Sequence, residues 1–176
     1  MNNIVFQSNS SLDKRTRIKM LIVFGTMVFV SSIFIVIYLK NDKSGIYVFS
    51  GIWILYFLFM ILGFYQTPNK YILSDSKLYI KRPYGLIRID IKDIKNIREF
   101  TKEDKQGLIR IFGFEGLFGN FGRYASKRHK RLDIYTSRDS NWVLIETSFG
   151  NKYVISPDDL KLIVKTIEIK NRNYVA

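Results

Sequence analysis

Hydrophobic and polar positions divide the chain into two apolar runs followed by a longer mixed segment. Residues 20–39 and 46–65 contain no Asp, Glu, Lys, Arg or His, so every charged residue lies outside them. Both runs are apolar on all sides, and about 20 helical residues are enough to cross a hydrocarbon layer of roughly 30 Å. The pattern therefore predicts two membrane-spanning helices. A cleavable signal peptide is less favoured for the first run, because its apolar region would be only about 7–15 residues long.

The short connection between the two runs, Lys40 to Gly45, predicts a helical hairpin whose outer ends lie on one side of the membrane. Four basic residues precede the first run, four follow the second within about 20 residues, and the connection holds only Lys40 and Lys43. Positive charge accumulates on the cytoplasmic side of inner-membrane proteins. We therefore expect a multi-pass protein of the bacterial inner membrane, with both termini and the mixed segment in the cytoplasm.

The mixed segment begins with short β-rich runs separated by turn residues such as Pro83 and Gly85. Alternation of apolar and polar positions predicts strands. They are expected at residues 71–73, 77–81, 86–91, 96–101, 108–112, 131–137, 142–147 and 152–155. This number and spacing of strands indicate an antiparallel barrel or sandwich.

The end of the chain has a helical pattern instead. Ser156 is the predicted N-cap and Pro157 the first helical residue, with Asp158 and Asp159 in the first turn. Apolar residues then follow at helical spacing, which predicts an amphipathic helix packed on the sheet. They are Leu160, Ile163, Val164 and Ile167.

Strands followed by one C-terminal helix are the arrangement of a pleckstrin-homology-like (PH-like) barrel. Residues 109–122, 143–147 and 153–159 resemble the bacterial PH domain family, and the resemblance extends over roughly 71–169. It implies an α+β protein in which a transmembrane hairpin precedes a PH-like antiparallel β-barrel or sandwich capped by one helix. The expected parts are a cytoplasmic N-terminal tail (1–19), the hairpin (20–65), a linker (66–70), the domain (71–170) and a tail (171–176). The resemblance supplies no catalytic residues.

A glycine–aromatic run carries Gly113, Gly116, Gly119 and Gly122 at every third position. It lacks the Lys-Ser/Thr ending of a phosphate-binding loop. Two interpretations stay open: an irregular turn whose aromatic rings fill the mouth of the barrel, and a hydrophobic loop that touches the bilayer or a partner. In the second case the contact residues are Phe114, Leu117, Phe118 and Phe121.

A basic cluster, residues 123–131, follows directly. Its candidate contact residues are Arg123, Lys127, Arg128, Lys130 and Arg131. It is interpreted either as a solvated loop without a partner or as a surface for anionic lipid, since such charges contribute about 1 kcal/mol each near an anionic leaflet. An acidic protein or a nucleic acid is the remaining alternative.

Few residues could support catalysis. The chain has no cysteine and one histidine, His129, so thiolate metal sites and two-histidine sites are excluded. Adjacent acids occur at Glu103-Asp104, in an expected turn, and at Asp158-Asp159, where helix capping accounts for them. We therefore expect no enzyme, no cofactor and no metal.

The expected function is a non-catalytic binding or scaffold protein that contacts lipid headgroups or another membrane protein. An accessory subunit of a transport or signalling complex is the alternative. Nucleic-acid binding is less favoured, because membrane topology already accounts for the net charge of +13. The sequence leaves the oligomeric state open.

Overall fold

The structure, a computed structural model, describes residues 3–40 and 45–175. Residues 1–2 and 176 of the predicted tails, and 41–44 of the predicted helical connection, lie outside it. The helices are α1 (Lys14–Lys40), α2 (Gly45–Gln66), α3 (Lys102–Lys105) and α4 (Lys161–Val175). The strands are β1 (Ile4–Asn9), β2 (Lys70–Ser74), β3 (Lys77–Lys81), β4 (Leu86–Asp90), β5 (Ile94–Glu99), β6 (Ile109–Gly116), β7 (Gly119–Ala125), β8 (Leu132–Thr136), β9 (Val143–Thr147) and β10 (Lys152–Ile155).

The two predicted apolar helices are present as α1 and α2, and both are long and apolar enough to cross a membrane. Their side chains are largely exposed: Leu21 on α1 is 71% exposed and Ile54 on α2 is 70% exposed. The helices contact each other where Phe34 stacks on Phe49, with 4.1 Å between ring centroids. Asp13 accepts a 2.8 Å hydrogen bond from Thr16 N, and this N-cap lets α1 begin before its apolar run.

The strands form two sheets, which confirms the α+β class. Within the described residues the first sheet has the order β1-β2-β3-β4 and the second the order β5-β9-β10-β8-β7-β6. Neighbouring strands are antiparallel except β8 and β10, which run parallel. The predicted antiparallel arrangement therefore holds for every described pair but one.

Strand β1 lies in the segment that was expected to be an N-terminal tail (1–19). It pairs antiparallel with β2, so that Gln7 lies opposite Ile72 and Asn9 opposite Lys70. Phe6 packs against the main core from this strand. The segment before the first apolar helix thus belongs to the β domain.

The main core lies between the two sheets and α4. Tyr71, Leu78 and Ile80 of the first sheet and Val143, Ile145 and Ile155 of the second are fully buried there. Each such aliphatic side chain contributes about 1.5–3 kcal/mol on burial. A smaller cluster on the other face of the second sheet includes Leu132, Leu144 and Trp142. Strand β9 is therefore buried on both faces.

The predicted start of the C-terminal helix is wrong: α4 begins at Lys161, not at Pro157. Residues 156–159 bind neighbouring segments instead of opening a helical turn. Ser156 Oγ accepts from Ser137 N at 3.0 Å, Asp158 N donates to Asn9 O at 3.0 Å, and Asp158 forms an ion pair with Arg138.

The predicted apolar stripe of the C-terminal helix is confirmed in part. Leu160 and Ile163 pack half-buried against the main core, whereas Val164 and Ile167 are exposed. The fully covered positions of α4 are Leu162, Thr166 and Ile169, on the side that lies against β1, β5 and the 3-10 turn Ile91–Asp93.

Candidate functional site

The glycine–aromatic run forms a β-hairpin and not the predicted irregular turn. Strands β6 and β7 pair from Ile109 opposite Ala125 to Gly116 opposite Gly119, leaving Leu117 and Phe118 as the tip. This corrects the first interpretation of the run, and it extends the strand that was expected to end at Phe112.

Glycine is required where the two strands approach most closely. Gly113 lies opposite Gly122, and their φ angles are +131° and +122°. A Cβ on Gly113 would lie 2.2 Å from Phe121 O, and one on Gly122 would lie 2.3 Å from Phe112 O. Any other residue would clash with the opposite strand and would also need a backbone conformation that L residues rarely adopt.

The tip of this hairpin docks on α2. Phe114 contacts Phe59 with 5.0 Å between ring centroids, and Phe118 contacts Phe64 at 6.2 Å. Thr67 Oγ1 donates a 3.2 Å hydrogen bond to Phe118 O. Gly63 leaves room for the rings, since a Cβ there would lie 3.2 Å from Phe118 Cδ2.

These contacts decide how accessible the four predicted aromatic and aliphatic contact residues are. Phe118 and Phe121 are buried at 8% and 7% exposure, and Phe121 stacks on Phe114 at 5.4 Å. Phe114 and Leu117 are half-buried. Within this chain, the tip of the hairpin therefore contacts α2. Contact of Phe114 and Leu117 with lipid or a partner stays a prediction.

A cavity of about 660 Å³ opens between α2 and the hairpin, and we call it the junction cavity. Phe59 and Leu62 of α2 face Phe114 and Phe121 of the hairpin across it. Three arginines line the same cavity, from three different strands or turns: Arg82, Arg110 and Arg123. The site thus combines an apolar wall with a group of cations.

The three arginines are held in different ways. Arg82 Nη1 donates to Gln66 Oε1, and its guanidinium lies 5.7 Å from the centroid of the Tyr135 ring. Its Nε is buried and has no hydrogen-bond partner among the described residues. Arg123 faces Asp133 at 3.6 Å. Among the same described residues, Arg110 and Arg82 form no ion pair with a carboxylate.

The remaining members of the basic cluster lie elsewhere. Strand β7 leads away from the tip, so residues 126–131, which we call the distal loop, lie about 20 Å from it for a strand of this length. Lys127, Arg128, Lys130 and Arg131 are exposed there. The structure therefore places Arg123 in the lining of the junction cavity, whereas the other four basic residues do not line it.

One side of the distal loop is hydrogen-bonded to a buried carboxylate. Asp104 is fully buried and accepts from Arg98 Nη2 at 3.0 Å, His129 Nε2 at 2.8 Å and Thr101 N at 3.0 Å. The Arg98 guanidinium, together with the Thr101 and His129 hydrogen bonds, holds the pKa of Asp104 well below its usual range. His129 is itself buried, and its observed contact is a structural one.

Arg82 and Arg110 were not among the predicted site residues. Arg82 lies in a predicted turn and Arg110 in a predicted strand, 28 positions apart in sequence. They come together at one cavity only because the first sheet, the second sheet and α2 pack against one another. Within residues 3–40 and 45–175, no group of three or more acidic or histidine side chains is placed to hold a metal ion.

Comparison with protein families matches residues 69–171, more than half of the chain, to the bacterial PH domain. No curated protein and no solved structure matches the chain. The matched segment includes β2 to β10 and most of α4, which is the β domain apart from β1. The match confirms the resemblance seen in the sequence, and the chain belongs to the bacterial PH domain family.

Proposed function

We propose that this protein is a non-catalytic binding module anchored in the bacterial inner membrane, with its PH-like domain fixed against the cytoplasmic leaflet. Helices α1 and α2 are apolar and exposed over most of their length, which suits lipid and not water. The distribution of basic residues favours a cytoplasmic domain. PH domains generally bind other molecules and do not catalyse reactions, and the chain offers few groups for catalysis.

The observation that carries this proposal is that both outer ends of the helix pair are bonded into the domain. Before α1, strand β1 belongs to the first sheet and Ser10 N donates to Asn69 O at 2.9 Å. Asp13, the N-cap of α1, also accepts from Asp139 N at 3.1 Å. After α2, the Thr67 hydrogen bond holds the tip of the hairpin.

Two attachment points define an orientation, whereas one flexible linker would not. The hairpin reaches Phe59, which lies seven residues, or about 10 Å, before the end of α2. The exposed side chains of the edge strand β6, Ile111 at 61% and Phe112 at 79%, then lie at the level of the lipid headgroups. The distal loop points away from the membrane.

This orientation favours a protein partner for the distal loop. Lys127, Lys130 and Arg131 would face the cytoplasm about 10 Å beyond Phe112, which pairs with Arg123 three residues before the loop, and so beyond a Debye length of about 8 Å. Arg128 already pairs with Glu103 and Asp104. An acidic segment of another protein suits these charges better than headgroups at that distance. The role of an accessory subunit in a transport or signalling complex is compatible with such a partner.

The test uses single cysteines, for which the cysteine-free chain is well suited. Intact spheroplasts are treated with a membrane-impermeant maleimide. We expect Ser44→Cys, in the connection between the helices, to be labelled, and Lys130→Cys to be labelled only after permeabilisation. Labelling of Lys130→Cys in intact spheroplasts, or recovery of the chain in the soluble fraction, would contradict the proposal.

A further inference from the structure

The junction cavity continues into an apolar groove along α2. The groove has a volume of about 440 Å³ and shares Phe59 and Leu62 with the cavity. Its other lining residues are Ile52, Leu55, Tyr56 and Leu58. From Leu62 to Ile52 this wall extends about 15 Å toward the middle of the proposed span. A charged pocket therefore adjoins a long, open apolar groove that α2 alone lines.

The net charge of the side chains that line the junction cavity is positive. Arg82 and Arg110 have no carboxylate partner among the described residues, and Asp133 offsets Arg123 alone. Arginine binds phosphate oxygens through paired N–H donors, and it does so best where water is partly excluded. The unpartnered, buried Nε of Arg82 shows that the hydrogen-bonding capacity of this guanidinium is not met within the described chain.

We propose that the junction cavity binds one anionic phospholipid, with its phosphate among Arg82, Arg110 and Arg123 and an acyl chain along the α2 groove. The inference rests on the proposed membrane location of α1 and α2. A free phosphate would use the arginines but leave the groove empty, and a neutral apolar molecule would use the groove but leave the arginines unpaired. An amphiphile with an anionic head complements both.

A bound lipid would also explain why this junction is open. The hairpin meets α2 where Phe114 contacts Phe59 and Phe118 contacts Phe64, and the open cavity lies beside these contacts, next to Leu62. Open clefts of several hundred Å³ with an apolar wall and a few polar groups are typical of small-molecule binding sites. Lipid in this space would become part of the contact between the helix pair and the domain.

The experiment measures lipid binding to the full chain, delipidated in detergent, by native mass spectrometry. Dioleoyl phosphatidylglycerol is the anionic probe, dioleoyl phosphatidylcholine the neutral one, and inorganic phosphate the probe without a chain. We expect one tight phosphatidylglycerol site, weaker phosphatidylcholine binding, and no displacement by millimolar phosphate. Each of Arg82→Gln, Arg110→Gln and Arg123→Gln should weaken phosphatidylglycerol binding about fivefold.

The control removes three positive charges from the distal loop, more than any single arginine variant: Lys127→Gln, Lys130→Gln and Arg131→Gln together should leave binding unchanged. Leu62→Trp, which fills the cavity without altering charge, should weaken phosphatidylglycerol binding and keeps the test valid if an arginine variant misfolds. Equal binding of both lipids, displacement by phosphate, or an equal loss in the distal-loop control would overturn the inference. A chain that inserts in membranes yet shows any of these results refutes the lipid site alone, whereas a chain that does not insert refutes the proposed function.

Discussion

Asp104 illustrates how one buried side chain connects three neighbouring segments of the fold. It closes a capping box with Thr101 at the start of α3 and binds Arg98 of β5 and His129 of the distal loop. A fully buried carboxylate is costly unless it is paired, and Asp104 is paired on every side. The geometry of the distal loop therefore depends on an acid that the sequence places in an ordinary turn.

Replacing Asp104 by Asn leaves Arg98 without its partner, and we expect a loss of about 3–5 kcal/mol in the free energy of unfolding. The pKa of Asp104 is lower in the folded chain than in the unfolded one, so its contribution is complete above the unfolded pKa of about 4 and is lost progressively as the pH falls toward the lower pKa of the folded chain. The difference in the free energy of unfolding between wild type and Asp104→Asn should thus decrease by up to about 1.4 kcal/mol per pH unit in acid.

Denaturant unfolding of the full chain in detergent, followed at several pH values, measures both effects. The control is Glu103→Gln at the adjacent position, where the side chain is 81% exposed and should contribute little. A difference that stays constant from pH 6 to pH 3 would show that ionisation of Asp104 does not stabilise the fold.

At the scale of elements, the β6–β7 hairpin joins the second sheet to α2 only because glycines let its strands approach. Gly122→Ala would place a Cβ 2.3 Å from Phe112 O at a φ of +122°, so we expect a loss of at least about 2 kcal/mol in the free energy of unfolding. The thermal midpoint of unfolding in detergent measures this loss of stability. Gly51→Ala on α2 is the control, because a Cβ there meets nothing within 4 Å. Equal midpoints for the two variants would contradict the prediction.

The elements that the sequence predicts best are those with a strong local pattern: α1, α2 and the strands whose apolar residues alternate. Strand β1 was not predicted, because its partner β2 lies about 60 residues away beyond the helix pair, and no local pattern encodes that pairing. Strand β7 was hidden by its glycines, which lower strand propensity but are needed for the close approach to β6.

The site was predictable only in part for a similar reason. The sequence indicated Phe114, Phe118 and Arg123 as contact residues, but it could not show that the two aromatic rings meet α2 of the same chain. Arg82 and Arg110 become neighbours only through tertiary structure. In the same way, the start of α4 was misplaced because Ser156 and Asp158 serve contacts to distant segments, which outweigh their local capping preference.

At the scale of the whole molecule, the attachments at both ends of the helix pair turn the domain into a fixed extension of α1 and α2. The Lys19–Asp139 ion pair at 3.3 Å adds a contact between α1 and the loop after β8. With α1 and α2 in the proposed membrane location, this attachment would give each surface a constant height above the bilayer. Strand β6 would stay at the headgroups, while the distal loop would stay in the cytoplasm for a partner.

This fixed height predicts a depth difference between two exposed positions of the same domain. Cysteines introduced as Phe112→Cys and Lys130→Cys in the otherwise cysteine-free chain can each carry an environment-sensitive fluorophore. In vesicles with lipids nitroxide-labelled near the headgroup, we expect stronger quenching at position 112 than at position 130. Phe112 pairs with Arg123, so it lies about three residues of β7, or roughly 10 Å, nearer the tip than the distal loop does. Asp13→Ala, which removes both the helix cap and the bond to Asp139, should reduce the difference by loosening the attachment. Similar quenching at the two positions in the unaltered background would mean that the domain is not held in the orientation of the structure.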